Sequence, residues 1–517
     1  MNKLLFALLA CFLTHCGEQS TPKDTLVVGR EMDDLLSLDP AEVYEVSSTE
    51  YTLNTYDTLV VRDDNKPENI IPFVAESWSV SGDGKEITFK IRQGIKFHSG
   101  NELTAHDVIY SLQRAVKLMK QPSEIIAQFG MTSENVDSKI YAVDDYTVKF
   151  KMDQAYAPTL VLNCLTAPVG VVVDSKIVQQ HTENNDYGNK WLKTNYAGSG
   201  PFSLKSWKAS ESLTLEANKD HWKTPPKLKK VLIRHINDSS TGRIMVEKKD
   251  LDIICGLKSE QAEQIKNVEL IQVPVMVTRY LSLNQKNKYL KIPEIQQAIR
   301  YAIDYDTVVK TLFKGDVIVQ QSFLPKGFPY ALEDLVYKID IEKAKNLMKE
   351  SGLQAGFDIN LVTSNKDFAQ ALQADLAKIN IRLHIDMGDQ KQTLTRIRER
   401  NFDMAYSAWS PDFFDPHANA MTFAKNADNS DQSKSKTVAW RSAWYIPELT
   451  KLTEKAMMEQ DPIKREKMYH KLQKELYRSP LINLFQNLKT YVYQKNVKGV
   501  IFSSAVNLAY YHNAYKD

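Results

Sequence analysis

Residues Trp78–Arg114 read WSVSGDGKEITFKIRQGIKFHSGNELTAHDVIYSLQR. Ser81-Gly82-Asp83-Gly84 has the composition of a tight turn. In the run that follows, Glu86–Ile91, the apolar residues Ile87, Phe89 and Ile91 alternate with polar ones, the period of a strand with one buried face. Thr104 then stands at a helix start, and Asp107 falls in the first turn, where the macrodipole favours a carboxylate. Val108, Leu112, Ala115 and Val116 recur at helical spacing and make one apolar face. Turn, strand, turn and capped helix in so short a span predict a mixed α/β chain.

The same alternation of periods extends outward in both directions. TLVVG (Thr25–Gly29), YTVKFK (Tyr146–Lys151) and VLIRHI (Val231–Ile236) read as strands. Further on, INLVTS (Ile359–Ser364), an amphipathic stretch from Asp367 to Ile379 and IRLHIDM (Ile381–Met387) make one βαβ unit, whose strands should be parallel. Pro293 opens a helix at its tolerated first position. Two more helices are predicted over about 447–458 and 462–477.

The chain has 517 residues, 43% hydrophobic and 25% charged, which supports an ordinarily packed protein and argues against disorder. One core stops growing at roughly 250–300 residues, so two lobes are expected. Lys plus Arg total 66 against 64 Asp plus Glu, and a balance of +2 gives no support to nucleic acid as a partner. The N-terminus stands apart. Met1-Asn2-Lys3 precedes the short apolar run LLFALLACFL and then Thr14-His15-Cys16-Gly17, the pattern of a secretory signal too short to span a bilayer. Beyond it only Cys164 and Cys255 remain, read as two buried free thiols.

At four places the chain resembles the bacterial extracellular solute-binding proteins of family 5, the peptide and nickel group that includes the dipeptide and oligopeptide binders. The most specific place is Trp78–Arg114, with its order Trp, Asp-Gly, Thr-Phe, Arg-x-Gly-x-x-Phe, Leu-Thr-Ala-x-Asp-Val and Ser-x-x-Arg. The others are Gly198-Ser199-Gly200-Pro201-Phe202; IRYAID (Ile299–Asp304) after Arg279-Tyr280-Leu281-Ser282-Leu283-Asn284; and SAWSPDFFDP (Ser407–Pro416). The resemblance implies a two-lobed periplasmic-binding-protein fold, the "Venus flytrap" of type II or cluster C, with an inserted subdomain. Carried over by position, lobe I is 25–57, 187–270 and 486–517, the subdomain is 58–186, and lobe II is 271–485. The crossings near 271–284 and 485–493 would form the hinge. The end of the leader is similar to a lipoprotein signal (1–16, with a tether at 17–24), so Cys16 is the expected lipidation site; the alternatives are Cys11, after Leu8-Leu9-Ala10, and plain cleavage to a soluble periplasmic protein.

The resemblance also implies the cargo: a small peptide, held between the lobes and passed to an ABC permease and ATPase complex in the inner membrane. In peptide-binding relatives the first Asp of a W-x-x-D-[YF]-x-[DE]-P motif pairs with the ligand amine, a role that falls here on Asp412. An Asp capping a Pro-flanked turn is the plainer alternative. Ala408 and Ser410 flank Trp409 in an extended run whose backbone can pair with a peptide as an added strand. Trp409, Phe413 and Trp440 (and Trp444) are candidate pocket walls, and the loop around Tyr44, Glu45, Val46, Ser47 and Ser48 is the candidate facing wall. Arg396, Arg398 and Arg400 are candidates for a ligand carboxylate.

No catalytic residue and no cofactor is expected. His98 and His417 are isolated turn histidines, so metal is not expected either, and the protein is expected to be a lipid-anchored, extracytoplasmic monomer. The rival cargoes for the same fold are an opine, an oligosaccharide, glutathione, haem or a nickel chelate. A hydrolase is disfavoured: the sequence holds no H-E-x-x-H, G-x-S-x-G, P-loop or G-x-G-x-x-G.

Overall fold

The computed structural model describes residues 21–64, 66–505 and 508–517, so Cys16 and the leader lie outside the described residues. One large mixed sheet runs through the molecule. From one edge its main order is Ile381–Met387, Phe357–Thr363, Met404–Trp409, Val268–Leu283, Leu481–Gln494, Ile253–Cys255, Thr25–Arg30, Lys230–His235, Ser212–Ala217 and Phe202–Lys208. The two strands of the anticipated βαβ unit are parallel, with Ile359 opposite Leu383, and the helix between them spans Lys366–Ala377.

Two long strands hold the halves together. Val268–Leu283 and Leu481–Gln494 pair antiparallel over almost their whole length, and their register shifts between Pro274 and Thr278. The buried Gln486 fills that irregularity. Its amide donates to the carbonyls of Val275 and Lys326 (both 3.1 Å), and its Oε1 accepts from the Lys326 amide (2.7 Å). On one side of the break the pair is flanked by Ile253–Cys255, on the other by Met404–Trp409.

Separate cores lie on either side. One gathers Leu26, Val28, Phe202, Leu215, Val231 and the C-terminal Tyr511. Another gathers Leu281, Ile295, Ile299, Leu361, Leu372 and Ile381. A third fills the segment between, under a four-stranded sheet that contains Glu86–Ile91 and Thr147–Lys151. That third core also takes in Phe413 and Ala418, so the loop carrying Asp412 is packed against it.

The Trp78–Arg114 stretch folds as read, with a strand at Glu86–Ile91 and a helix at Ala105–Leu118. Asp107 does more than serve the macrodipole. One carboxylate oxygen accepts the Thr104 amide (2.9 Å), while the other accepts the amide and hydroxyl of Ser175 (3.1 and 2.6 Å). At the far end of the helix Arg114 makes a bidentate pair with Asp39, 2.8 Å on each arm, both side chains almost fully buried. Asn189 donates to the same carboxylate (2.7 Å), and Asp39 Oδ1 accepts the Ala41 amide (3.0 Å). The pair therefore fixes the entry to the segment carrying Tyr44.

That segment differs from the loop expected of it. Val46 begins a helix, Val46–Thr55, which shows no apolar period because its buried face is polar. Glu50 accepts the amide of Ala509 (3.0 Å) and the hydroxyl of Tyr511 (2.6 Å), and forms an ion pair with Arg30 (2.6 Å). Asn54 donates to the Ala509 carbonyl (2.9 Å) and accepts the Tyr511 amide (3.0 Å). The helix grips the C-terminal strand by hydrogen bonds, a partner far away in sequence. Cys164 and Cys255 are both free; Cys164 is buried as expected, whereas Cys255 is only partly buried, beside the concavity at the end of its strand.

In the Gly-Ser-Gly-Pro-Phe run, a Cβ on Gly200 would lie 2.4 Å from the Thr55 carbonyl carbon, against rigid backbone. At Gly82 the same atom meets open space. Gly200→Ala should therefore cost about 1–3 kcal/mol by overpacking, whereas Gly82→Ala should stay within about 0.5 kcal/mol. Urea unfolding of the two variants checks the contrast, and equal losses would contradict it.

Candidate functional site

Each half carries a concavity at the carboxyl ends of its parallel strands, where open α/β sheets place ligands. In the first half it measures 410 Å³ and is lined by Arg30, Val46, Ser47, Asn237, Cys255 and Lys489 among others. It lies beyond Thr25–Arg30, whose two neighbours, Lys230–His235 and Ile253–Cys255, both run parallel to it on opposite sides. In the second half a more open hollow of 640 Å³ follows Ile381–Met387 and reaches Gln392 and Arg396.

Between them runs Met404–Trp409. One side of this strand is paired as far as Thr278 opposite Trp409 and Arg279 opposite Ala408. Its other side is paired only at Met404 and Ala405. Beyond Ala405, among the described residues, that edge carries no strand. Ala408 and Ser410 are exposed and Trp409 is half-buried. The Trp409 indole donates to Asn419 Oδ1 (3.1 Å), which holds the ring against the Pro416–Phe423 helix.

Asp412 follows directly and is exposed. Tyr44, 42% exposed, reaches across from the opposite half and donates its hydroxyl to Asp412 Oδ1 at 2.5 Å. Among the described residues Oδ2 has no such donor. Crowding by protein atoms lifts the Asp412 carboxyl above its ordinary value, and the Tyr44 hydrogen bond acts in the opposite sense. The Tyr44 phenol is pushed up by burial and by the neighbouring negative charge.

The loop is fixed from below. Asp415 caps the Pro416–Phe423 helix by accepting the His417 amide (2.9 Å). Its carboxylate also accepts two hydrogen bonds from Arg465 (2.7 and 2.8 Å), and both side chains are buried. Arg465 donates further to the Ala456 carbonyl (3.1 Å) and to Thr159 (3.2 Å), so it ties the loop to the middle segment of the chain. Nothing in the local sequence marked Arg465, because its partner is 50 positions upstream.

The remaining sequence-derived candidates are scattered. Phe413, 6% exposed, and Trp440, 2% exposed, lie below the surface and serve packing rather than lining an open wall. The Trp440 indole donates to the Ser430 carbonyl (2.8 Å) under the Arg400 guanidinium, 4.4 Å from the ring centre. Glu45 is half-buried just ahead of the Val46–Thr55 helix, while Val46 borders the 410 Å³ concavity. Of the three arginines, Arg396 pairs with Asp386 and Arg400 is buried with Asn429, while Arg398 is exposed. Among the described residues no group of three His, Cys, Asp or Glu side chains could hold a metal. His417 is buried, and desolvation pushes its imidazole down to about 3, so the ring is neutral.

A family model described as "Bacterial extracellular solute-binding proteins, family 5 Middle" matches residues 69–431. The chain is 28% identical over 512 residues to the "Probable D,D-dipeptide-binding periplasmic protein DdpA" of Escherichia coli (strain K12), covering 96% of this chain and 95% of that protein. It is 26% identical over 479 residues to the "Glutathione-binding protein GsiB" of Escherichia coli O1:K1 / APEC, covering 90% and 89%. Among solved structures, the periplasmic binding protein DppA from Helicobacter pylori in complex with peptide STSA superposes with a TM-score of 0.74 at 27% identity, covering 95% and 98%. The substrate-binding protein CtaP from Listeria monocytogenes reaches 0.81 at 21% identity, covering 95% and 99%, a likeness of fold.

The buried pair beneath the loop is open to test. Arg465→Met strands the Asp415 carboxylate and should cost about 3–5 kcal/mol in chemical unfolding. Adding Asp415→Leu should recover much of that loss, since the double variant buries no unpaired charge. A double variant no more stable than Arg465→Met would show that the pair is not the anchor.

Proposed function

The chain belongs to the bacterial extracellular solute-binding proteins of family 5, and we propose that it captures small peptides between its lobes for an ABC importer. The observation that carries this reading is Asp412, beside the open strand edge after Ala405. In its ionised form Asp412 can accept a ligand ammonium on Oδ2 while Tyr44 holds Oδ1. A charge-assisted hydrogen bond of this kind is about twice as strong as a neutral one. The strand edge supplies backbone pairing that gives affinity without reading side chains, the mode expected of a binder with mixed cargo.

In this reading lobe I is 25–57, 187–270 and 486–517, the subdomain is 58–186 and lobe II is 271–485. The two long strands are the hinge, and peptide stabilises the closed form by its differential affinity for the two states. The protein binds without turnover, works as a monomer outside the cytoplasmic membrane, and is tethered there through a lipid on Cys16. Glutathione, the ligand in the names of several relatives, also carries a free amine, so the clamp admits it as a second cargo.

A thermal-shift screen of dipeptides to pentapeptides and glutathione, each with an N-acetylated control, tests the clamp. Free-amine ligands should raise the melting temperature and their acetylated forms should not. Asp412→Asn should weaken binding by about 1.5–3 kcal/mol, the value of a hydrogen bond to a charged group. The pH dependence has a defined sign. Clamping needs the ionised carboxylate, whose pKa in the free protein lies above the ordinary aspartate value. Affinity is therefore highest above that raised pKa and is lost as pH falls through it, earlier than an unperturbed aspartate would allow. The Asp412→Asn protein should lack this loss. Equal binding of acetylated and free peptides would remove the role given to Asp412.

A further inference from the structure

A cavity of 290 Å³ lies apart from both strand-end concavities, between Asp57–Thr58, the strand Val60–Arg62, the His221–Thr224 turn and the C-terminal segment around Ser503–Ala505 and Tyr510–Asn513. An enclosed space about half that size suffices for benzene. Three of the residues that line it, Asp57, His221 and Arg62, each carry a buried polar atom that the protein leaves unsatisfied. Asp57 is 1% exposed; its Oδ2 accepts from Ser199 (2.9 Å) and from the Trp222 indole (3.1 Å), but its Oδ1 has no partner. His221 is 7% exposed, and its Nε2 also has no partner.

The chemistry of that pair is constrained. His221 Nδ1 lies 3.1 Å from the Thr224 carbonyl oxygen, which can only accept, so Nδ1 carries a proton. In the neutral ring Nε2 is then a bare acceptor, and it faces Asp57 Oδ1 across 3.7 Å. That gap is too long for a direct hydrogen bond, so with a neutral ring two acceptors face each other with no donor between them. A primary ammonium has three donors and satisfies both. The same cavity holds the opposite need: Arg62 lines it, and its Nε is shut off from solvent without an acceptor. Burial draws the Arg62 guanidinium down to about 10, the mark of a cation lacking a counter-charge. Lys223, Asp64 and His512 also line the space, so both signs of charge are present, which suits a zwitterion better than a simple ion.

We propose that this cavity is a second binding site for a zwitterion of amino-acid size, its ammonium between Asp57 and His221 and its carboxylate on Arg62. The site is separate from Asp412 yet not isolated from it. The Arg62 guanidinium lies 5.2 Å from the ring centre of Phe414, two residues beyond Asp412.

The test uses the full chain, stripped of co-purified ligand by unfolding and refolding. L-alanine, L-glutamine, L-glutamate and L-lysine are titrated, with methylammonium and acetate as single-ended controls. The part of the tryptophan fluorescence change that Trp222→Phe removes serves as a local readout, because the Trp222 indole donates to Asp57. At least one amino acid should perturb Trp222 and raise the melting temperature, in wild type and equally in Asp412→Asn. Asp57→Asn and Arg62→Met should each weaken that binding roughly tenfold or more. Circular dichroism of Arg62→Met establishes that it is folded, so at least one informative variant remains if Asp57→Asn does not fold. No response to any amino acid, with only water filling the space, overturns the proposal. So does a response that survives both substitutions, or one abolished by Asp412→Asn, which would assign it to the cleft. Peptide binding that fails while amino-acid binding persists would count against the clamp alone.

Discussion

Two buried ion pairs stand behind the Tyr44–Asp412 contact that joins the halves at the site. On one side Asp39 and Arg114 lock the segment that leads to Tyr44; on the other Asp415 and Arg465 lock the loop that carries Asp412. Tyr44 lies five residues beyond the first anchor and Asp412 three before the second. A buried pair of this kind adds little net stability over an apolar replacement. Its value is positional, because a bidentate guanidinium–carboxylate fork admits one geometry. Without that fixity the carboxylate would face an incoming amine from a mobile loop, and binding would have to supply the ordering entropy as well.

The same logic explains why the second half of the Trp78–Arg114 stretch is so specific without touching the cleft. Asp107 is bonded at once to its own helix start and to Ser175, and Arg114 to Asp39. Each is a polar residue on a helix that an amphipathic pattern alone would leave facing water. Their identities are set by what they hold in place: the top of one segment and the base of another.

Elements whose stability comes from their own periodicity were legible in the sequence. The strand Ile381–Met387 and the helix Pro447–Met458 fall on the limits read from apolar spacing and proline position. The Val46–Thr55 helix was not, because Glu50 and Asn54 on its buried face answer to the C-terminus, more than 450 residues away. Periodicity records burial against apolar neighbours and is silent where the neighbour is a hydrogen-bonding strand. At the site, the motif drew attention to Trp409 and Asp412, and Tyr44 was within the facing run. Asp415's partner Arg465 carried no local mark, and Trp440 looked like a wall although its indole is committed to Ser430. Which aromatic face stays open is decided by distant packing.

The paired strands Val268–Leu283 and Leu481–Gln494 constrain how the two halves can move. A single connecting strand would permit swinging in any direction, whereas a hydrogen-bonded ribbon yields most readily by changing its twist. The shift of register at Pro274–Thr278, filled by Gln486, is where that twist concentrates. With these strands as the proposed hinge, opening would be confined to nearly one rotational coordinate, and a receptor docking on both halves would need to sense only that angle to distinguish a loaded protein from an empty one.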